Sequence, residues 1–388
     1  MLHVGFVTTS YPLSEKSNSG IFTKKLADAL IKQGCNVTIV TPADSSTNSK
    51  KLTKNILLIK YAPSFLRKLC HNPGGIPAAL KQNKLNYFLI PFLLAGIFLL
   101  SIKVAKQVDI IHANWAINGL LCGISAFILR KPCITTVRGE DINQITESKI
   151  HYLVVLLCLQ LSSKVVCVSK NILNKLVNNY PKYSNKLVCI HNGIDNSFFQ
   201  PLKLINTSNK IQLLTVSSLT NLKQINIILE AISLTKKNIF LTIVGSGPEE
   251  KNLKLLCKKL NIESKVKFEG AVKNDQLPSY YKRADIFILA SKREGRPNVI
   301  LEAFASGKVV VANKTAGIED IITNNKNGIL FKYNSAEDLN NKIDFIISNK
   351  KIAHTLQKNA VSYLKKKRLN WANTADQYIS LYRQLCAV

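Results

Sequence analysis

Two carboxylates eight positions apart, Glu294 and Glu302, bracket the run "EGRPNVILE". Glu294 follows the apolar stretch "ADIFILAS" (284–291) on a loop. Glu302 lies more than a turn inside a helix that begins at Pro297, whose missing N–H costs nothing in a first turn, and stops at Gly307. The start of that helix offers unpaired amides and the positive end of the helix dipole, a setting suited to phosphate. Gly295, Arg296, Asn298 and Val299 belong to that start. A carboxylate accepts two hydrogen bonds from vicinal hydroxyls. The spacing therefore suits a ligand made of sugar, diphosphate and ribose in sequence, with Glu294 on one side and Glu302 on the other. Two glutamates decorating a surface helix give the same pattern, and the residue types leave both readings open.

Groups at such positions need strand ends to hold them. Short apolar runs alternate with helical segments from the first residue: 3–9, 36–42, 108–113, 133–139, 164–169 and 186–193 read as strands. The alternation restarts after a polar connector, with runs at 211–218, 240–247, 265–272, 284–291, 308–314 and 328–333. Continuous apolar strands between helices predict parallel sheets covered on both faces. The expectation is an α/β protein of two Rossmann-like, doubly wound domains facing a central cleft. They are placed at 1–200 and 201–370, with a boundary near 198–210. A last helix at 371–388 belongs to neither strand series and is expected to pack across the junction. Ligands of doubly wound sheets bind at the carboxyl ends of strands, where Glu294 falls.

The chain has 388 residues and a net charge of +30, from 53 Lys and Arg against 23 Asp and Glu. That balance favours an anionic partner, although lysines spread evenly along the chain also fit a plain compositional bias. No basic run is interleaved with aromatics and no zinc, RRM or KH pattern occurs, so nucleic acid is not an expected partner. No Asp-x-Asp and no His/Cys cluster at ligand spacing is present, so no metal is expected. The nine cysteines form no Cys-x-x-Cys pair and read as buried, reduced thiols of a cytoplasmic protein. The opening "MLHVGFVTTSYP" passes straight into a strand pattern and does not read as a signal peptide. The uncharged run 85–102, "LNYFLIPFLLAGIFLLSI", is flanked by Lys81, Lys84, Lys103 and Lys106. It reads as a buried helix or as one lying at the inner face of a membrane. A spanning helix would send the strand at 108–113 across the bilayer and is rejected.

The stretch around Glu294 resembles the Glu-x7-Glu motif of the retaining GT-B-fold glycosyltransferases of family 4 (glycosyltransferase group 1). Further matches follow in order: "TTSYPLSEKSNSGIF" (8–22), "DIIHANWAINGL" (109–120), "TTVRGEDIN" (135–143), "CIHNGIDNSFFQP" (189–201), "IVGSGPEEKNL" (243–253) and "NGILF" (327–331). The resemblance implies transfer of a sugar, with retention, from a nucleoside-diphosphate sugar to a cell-surface glycan or lipid-linked acceptor. The sugar nucleotide is then a co-substrate, and no cofactor is expected. It implies that Lys223 meets the donor diphosphate, that Gly20 and Gly245 lie near the nucleotide, and that the acceptor enters near Gly20, His112, Arg138 and Asp141. Glu294, Arg138, Asp141 and His112 are the implied catalytic set.

Two departures stand out. Where relatives carry an arginine before the lysine, this chain has Ser218, and Gln224 replaces a glycine after Lys223. A hydroxyl cannot replace a bidentate guanidinium, so either donor affinity is lower or, as expected here, Arg293 or Arg296 compensates. Arg138 stands where many relatives have histidine. "GSGPEE" lacks the third glycine of a dinucleotide fingerprint and reads more simply as a strand-to-helix turn. A phosphorylase or epimerase of the same architecture, or a binding protein that has lost catalysis, are the remaining alternatives.

Overall fold

The computed structural model describes residues 1–13, 19–45, 47, 55–71, 75–203 and 210–387. Residues 14–18, in the loop before Gly20, and 204–209, in the expected connector, lie outside the described residues. The chain divides into two compact units, Met1–Gly193 with Trp371–Val388, and Ile194–Asn370.

Among the described residues, the first unit holds seven strands: β1 (His3–Val7), β2 (Asn36–Pro42), β3 (Ile56–Ile59), β4 (Ile110–Asn114), β5 (Cys133–Val137), β6 (Lys164–Cys167) and β7 (Leu187–Cys189). They pair in parallel in the order β3-β2-β1-β4-β5-β6-β7. The described residues of the second unit hold six: β8 (Ile211–Val216), β9 (Ile239–Val244), β10 (Val266–Gly270), β11 (Ile286–Leu289), β12 (Val309–Asn313) and β13 (Ile329–Phe331). These are also all parallel, in the order β10-β9-β8-β11-β12-β13. Every residue of β4, β5, β11 and β12 is buried, as expected of central parallel strands with helices on both faces. All twelve strands read from the sequence are present, most with shorter bounds; β2 keeps 36–42, β4 runs one residue further, to Asn114, and β9 starts one residue earlier, at Ile239. β3 was not anticipated, because four apolar residues after a Lys/Asn-rich run carry no periodicity.

The boundary falls earlier than 198–210. Residues after Gly193 already belong to the second core: Phe198 is buried against Tyr281, and the Gln200 amide donates to the Ala305 carbonyl. The terminal helix Trp371–Cys386, expected to lie across the junction, is part of the first unit. Trp371, Ala375, Tyr378 and Tyr382 form a stripe at helical spacing that buries against Leu26 and Leu30 of the helix Ile21–Lys32. The nine cysteines are free.

Candidate functional site

In each sheet the strand order reverses once, between β1 and β4 and between β8 and β11. Such a switch point opens a crevice at the carboxyl ends of the two strands. In the second unit, β8 runs into a turn ending at Lys223, and β11 runs into the loop bearing Glu294. The amide of Lys292 donates to the Leu222 carbonyl at 2.8 Å, tying the two exits together. Lys223 Nζ then meets Glu294 Oε1 at 2.7 Å, with side chains 24% and 13% exposed. An ion pair so placed adds only about 1 kcal/mol to stability. Its interest is chemical, because it sets a cation and a carboxylate side by side where the fold receives ligands.

The helix that follows spans Asn298–Ala305, one residue shorter at its start than the sequence suggested, because Pro297 serves as its N-cap. Proline has no side-chain acceptor, so no side chain caps the first-turn amides. Both polar atoms of the Asn298 side chain are buried without a partner, as are Ser217 Oγ, Ser291 Oγ, Asn313 Oδ1 and Thr315 Oγ1. All belong to the exits of β8, β11 and β12 or to the helix start. Buried polar atoms are normally satisfied, and such a concentration at strand exits is what a polar ligand or ordered water would complete. Gly317, in the one-turn helix Ala316–Glu319 after β12, packs against the same place. A Cβ there would land on the carbonyl oxygens of Glu294 and Gly295, so this position holds the Glu294 loop through backbone contact. Sequence reasoning passed over it, because "TAG" after an apolar strand looks like any turn.

Glu302, expected to reach hydroxyls at one end of the ligand, is 6% exposed. Its Oε2 accepts from the Tyr281 hydroxyl at 3.1 Å, and the same hydroxyl lies 3.2 Å from the Val299 carbonyl oxygen. Tyr281 is fully buried, and burial together with the Glu302 carboxylate drives its phenol well above the usual range. Tyr281 thus remains a proton donor to Glu302, a partnership the sequence did not reveal across 21 positions.

The departures from the family pattern have structural answers. Ser218 is exposed on the turn after β8. Gln224 takes the glycine's left-handed conformation, at φ 47°, and its Nε2 donates to Asn334 Oδ1 at 2.9 Å. Arg296 does not stand free to compensate, because it hydrogen-bonds the Tyr363 phenol. Arg293 is exposed. At Gly245 a Cβ would fall on the Ser217 carbonyl, and the Ser217 amide donates to the Val244 carbonyl at 3.0 Å. This glycine lets two strand-exit turns pack backbone to backbone, the plainer of its two readings.

In the first unit, Gly20 caps the helix Ile21–Lys32 with φ 69°, pressed against the Ser10 carbonyl. His112 is fully buried, with Nδ1 2.6 Å from the Tyr382 hydroxyl and Nε2 2.7 Å from Thr136 Oγ1, which in turn lies 2.9 Å from the Tyr378 hydroxyl. Burial, aided by Arg138, pushes its pKa down to about 3. Both ring nitrogens are spent on the terminal helix and the neighbouring strand, so the expected catalytic role is corrected: His112 is a satisfied core histidine. Asp141 is likewise committed to shaping its loop. Oδ1 accepts from the Arg138 and Gly139 amides at 3.2 and 3.0 Å, and Oδ2 from the Ala116 amide at 3.1 Å. Loss of solvent raises its pKa, and those amides pull it back. Arg138 is half-buried; Nη2 donates to Asn114 Oδ1 at 2.9 Å and Nη1 lies 3.4 Å from Asn192 Oδ1. Beside Asn114, Trp115 holds φ 77°, ψ 144°, a conformation that costs a non-glycine residue about 1–3 kcal/mol.

Known families account for this arrangement. The model described as "Glycosyltransferase Family 4" matches residues 19–198, and "Glycosyl transferases group 1" matches 199–363. The chain belongs to glycosyltransferase family 4. This family-4 chain is 24% identical to an uncharacterized glycosyltransferase of Methanocaldococcus jannaschii over 98% of both chains. It is 27% identical to the alpha-monoglucosyldiacylglycerol synthase of Streptococcus pneumoniae, over 85% of this chain and 75% of that protein. Its fold is GT-B. Anabaena HepE, solved in complex with UDP, superposes with a TM-score of 0.77 at 20% identity, covering 99% of this chain and all of HepE.

Proposed function

We propose that the second unit binds a nucleoside-diphosphate sugar, UDP- or GDP-linked, and that the enzyme transfers the sugar to a lipid-linked or cell-surface glycan acceptor with retention at the anomeric carbon. The observation that carries this reading is the Lys223–Glu294 pair at the strand-order reversal, beside a helix start with no side-chain cap. Without ligand, each charge neutralises the other. An arriving diphosphate offers Lys223 a more highly charged partner and releases the Glu294 carboxylate to the sugar hydroxyls. Glu302, fixed by Tyr281, takes the ribose hydroxyls, and the amides of 295–299 line the diphosphate. As the glycosidic bond breaks, the leaving diphosphate gains negative charge. Lys223 and those amides then bind it more strongly than in the ground state, supplying the positive charge that a metal would otherwise bring. Arg138 and the Gly20 loop are assigned to the acceptor. UDP in HepE and the pneumococcal relative named for a glucosylated diacylglycerol support the donor and acceptor classes.

A second reading, a nucleotide-sugar binder without turnover, is favoured only by Ser218 and by the engagement of Arg296 with Tyr363. Calorimetry with UDP, GDP and ADP comes first, followed by proton NMR of products formed from the matching sugar nucleotides. One nucleotide is expected to bind, and the product anomer to match the donor anomer. Absence of binding by all three overturns the donor site. Binding without transfer or hydrolysis favours the second reading, and an inverted product refutes retention.

A further inference from the structure

The apolar run before β4 forms a 3-10 turn, Lys84–Leu89, that continues into the helix Ile90–Ala105. One stripe of this helix faces the core: Leu93, Ile97, Ser101 and Val104 are buried, and at Gly96 a Cβ would strike Ile59 of β3. A helix pinned to its own sheet in this way does not cross a bilayer. Its opposite stripe, at spacings of three and four, reads Phe88, Phe92, Ala95, Leu99, Lys103 and Lys106, all exposed. Phe88 is 75% exposed, and Phe92 and Leu99 are each 64% exposed. A surface helix of a water-soluble protein places polar residues there. Here the outward face is as apolar as the inward one for three turns, and then ends in two lysines. Only 28% of its most apolar stretch is buried.

The face continues onto the neighbouring helix. Ala116–Ile128 packs alongside, joined by the Ser101–Ser125 hydroxyl contact at 2.6 Å. Just beyond Ser125, Phe127 (77% exposed) and Ile128 point to solvent, followed by exposed Arg130. Along the chain, the charges that flank the face are basic. Lys81 and Lys84 precede it, Lys103, Lys106 and Arg130 follow it, and no Asp or Glu occurs between Asp44 and Asp109.

We infer that this face is a monotopic docking surface for an anionic bilayer, with Phe88, Phe92, Leu99 and Phe127 entering the acyl boundary and the lysines meeting lipid headgroups. Charge decides between this occupant and a second copy of the chain. Pairing two such faces would bring like-charged lysine rims together on molecules of net charge +30. An anionic lipid surface attracts the same rims while the rings bury their apolar area. The surface stands independently of the glycosyl-transfer reading, since it uses none of the residues assigned to donor or acceptor.

Flotation of the full chain with phosphatidylcholine vesicles, with and without phosphatidylglycerol, tests it. The chain is expected to float with the anionic vesicles, to bind more weakly as salt rises, and to bind neutral vesicles poorly. Phe88→Ser, Phe92→Ser and Leu99→Ser combined are expected to lower vesicle affinity at least tenfold. Lys103→Glu with Lys106→Glu is expected to lower it and to flatten the salt dependence, with melting temperature and nucleotide affinity unchanged in both variants. Failure to float with anionic vesicles overturns the proposal, as does flotation indifferent to the serine substitutions. Sedimentation showing a dimer that the serine variant converts to monomer would reassign the face to self-association.

Discussion

At the scale of single residues, Lys223 and Glu294 hold opposite charges 2.7 Å apart, so each is the other's partner until a ligand intervenes. Lys223→Ala removes the cation that meets the leaving diphosphate. Loss of one preorganised charge-stabilising group of this kind costs about 10²–10³ in rate, and kcat/KM is expected to fall by that much in steady-state assays. The melting temperature should move little, because a partly buried ion pair at a strand exit contributes about 1 kcal/mol. A Lys223→Ala enzyme with near-native kcat/KM would remove this lysine from the mechanism. Tyr281→Phe asks about positioning. Deleting one hydroxyl leaves buried Glu302 short of a donor, at a cost of about 1–3 kcal/mol in the second unit's stability. The carboxylate is then less firmly held, so nucleotide affinity should weaken more than kcat. Lower stability with unchanged affinity would make Tyr281 a core residue only. The strand-exit position of Glu294 was legible from the apolar run before it, whereas Lys223 entered only through the family resemblance, and its pairing with Glu294 across 71 positions was not foreseen. His112 was misread, since a histidine at a strand end looks identical whether its nitrogens meet solvent or, as here, a threonine on the neighbouring strand and a tyrosine of the terminal helix. Tyr281 was invisible for the same reason: its partner lies across the core.

At the scale of elements, strands were legible because central parallel strands must be apolar throughout, whereas turns depend on backbone approach that composition hides. Gln224 illustrates this. Read as a lost glycine, it in fact keeps the left-handed φ and is held there by Asn334, so the turn survives the substitution. Gly317 illustrates the reverse, an unremarkable turn glycine on which the Glu294 loop rests. Gly317→Ala forces a methyl onto the Glu294 and Gly295 carbonyls. Overpacking of this sort costs about 1–3 kcal/mol, and the loop is expected to move rather than the β12 backbone. Displacing a positioned carboxylate by about an ångström can cost roughly a hundredfold in rate. A drop in kcat/KM well beyond what the melting temperature explains is therefore expected. A variant that melts early yet turns over normally would show that the contact only stabilises.

At the scale of the whole molecule, the chain closes its first unit with its last helix, and polar contacts fix how it docks. Tyr378 and Tyr382 reach Thr136 and His112 of the sheet's central strands, so the first core is complete only when the terminus is in place. That closure carries a pH signature. The imidazole of His112 titrates near 3 when folded and near 6.5 when unfolded. Between those values the unfolded chain binds the extra proton, so stability is full above pH 6.5 and declines as pH falls toward 3. The loss approaches about 1.4 kcal/mol per pH unit, or about 1 kcal/mol between pH 7 and pH 5.5. Half-buried His71, also held below its ordinary value, acts with the same sign, whereas Asp141, raised by burial, acts oppositely. In the second unit, Lys308 is pushed down to about 8. Its share is present above pH 10.5, is lost as pH falls toward 8, and is constant in the acid window. Urea unfolding at pH 7 and 5.5 should therefore weaken the first unit selectively. His112→Gln, which keeps a neutral polar group beside Tyr382 and Thr136, should lower stability at pH 7 yet flatten the pH slope. A slope as steep in His112→Gln as in the native chain would assign the acid sensitivity to another group and detach the terminal helix from it.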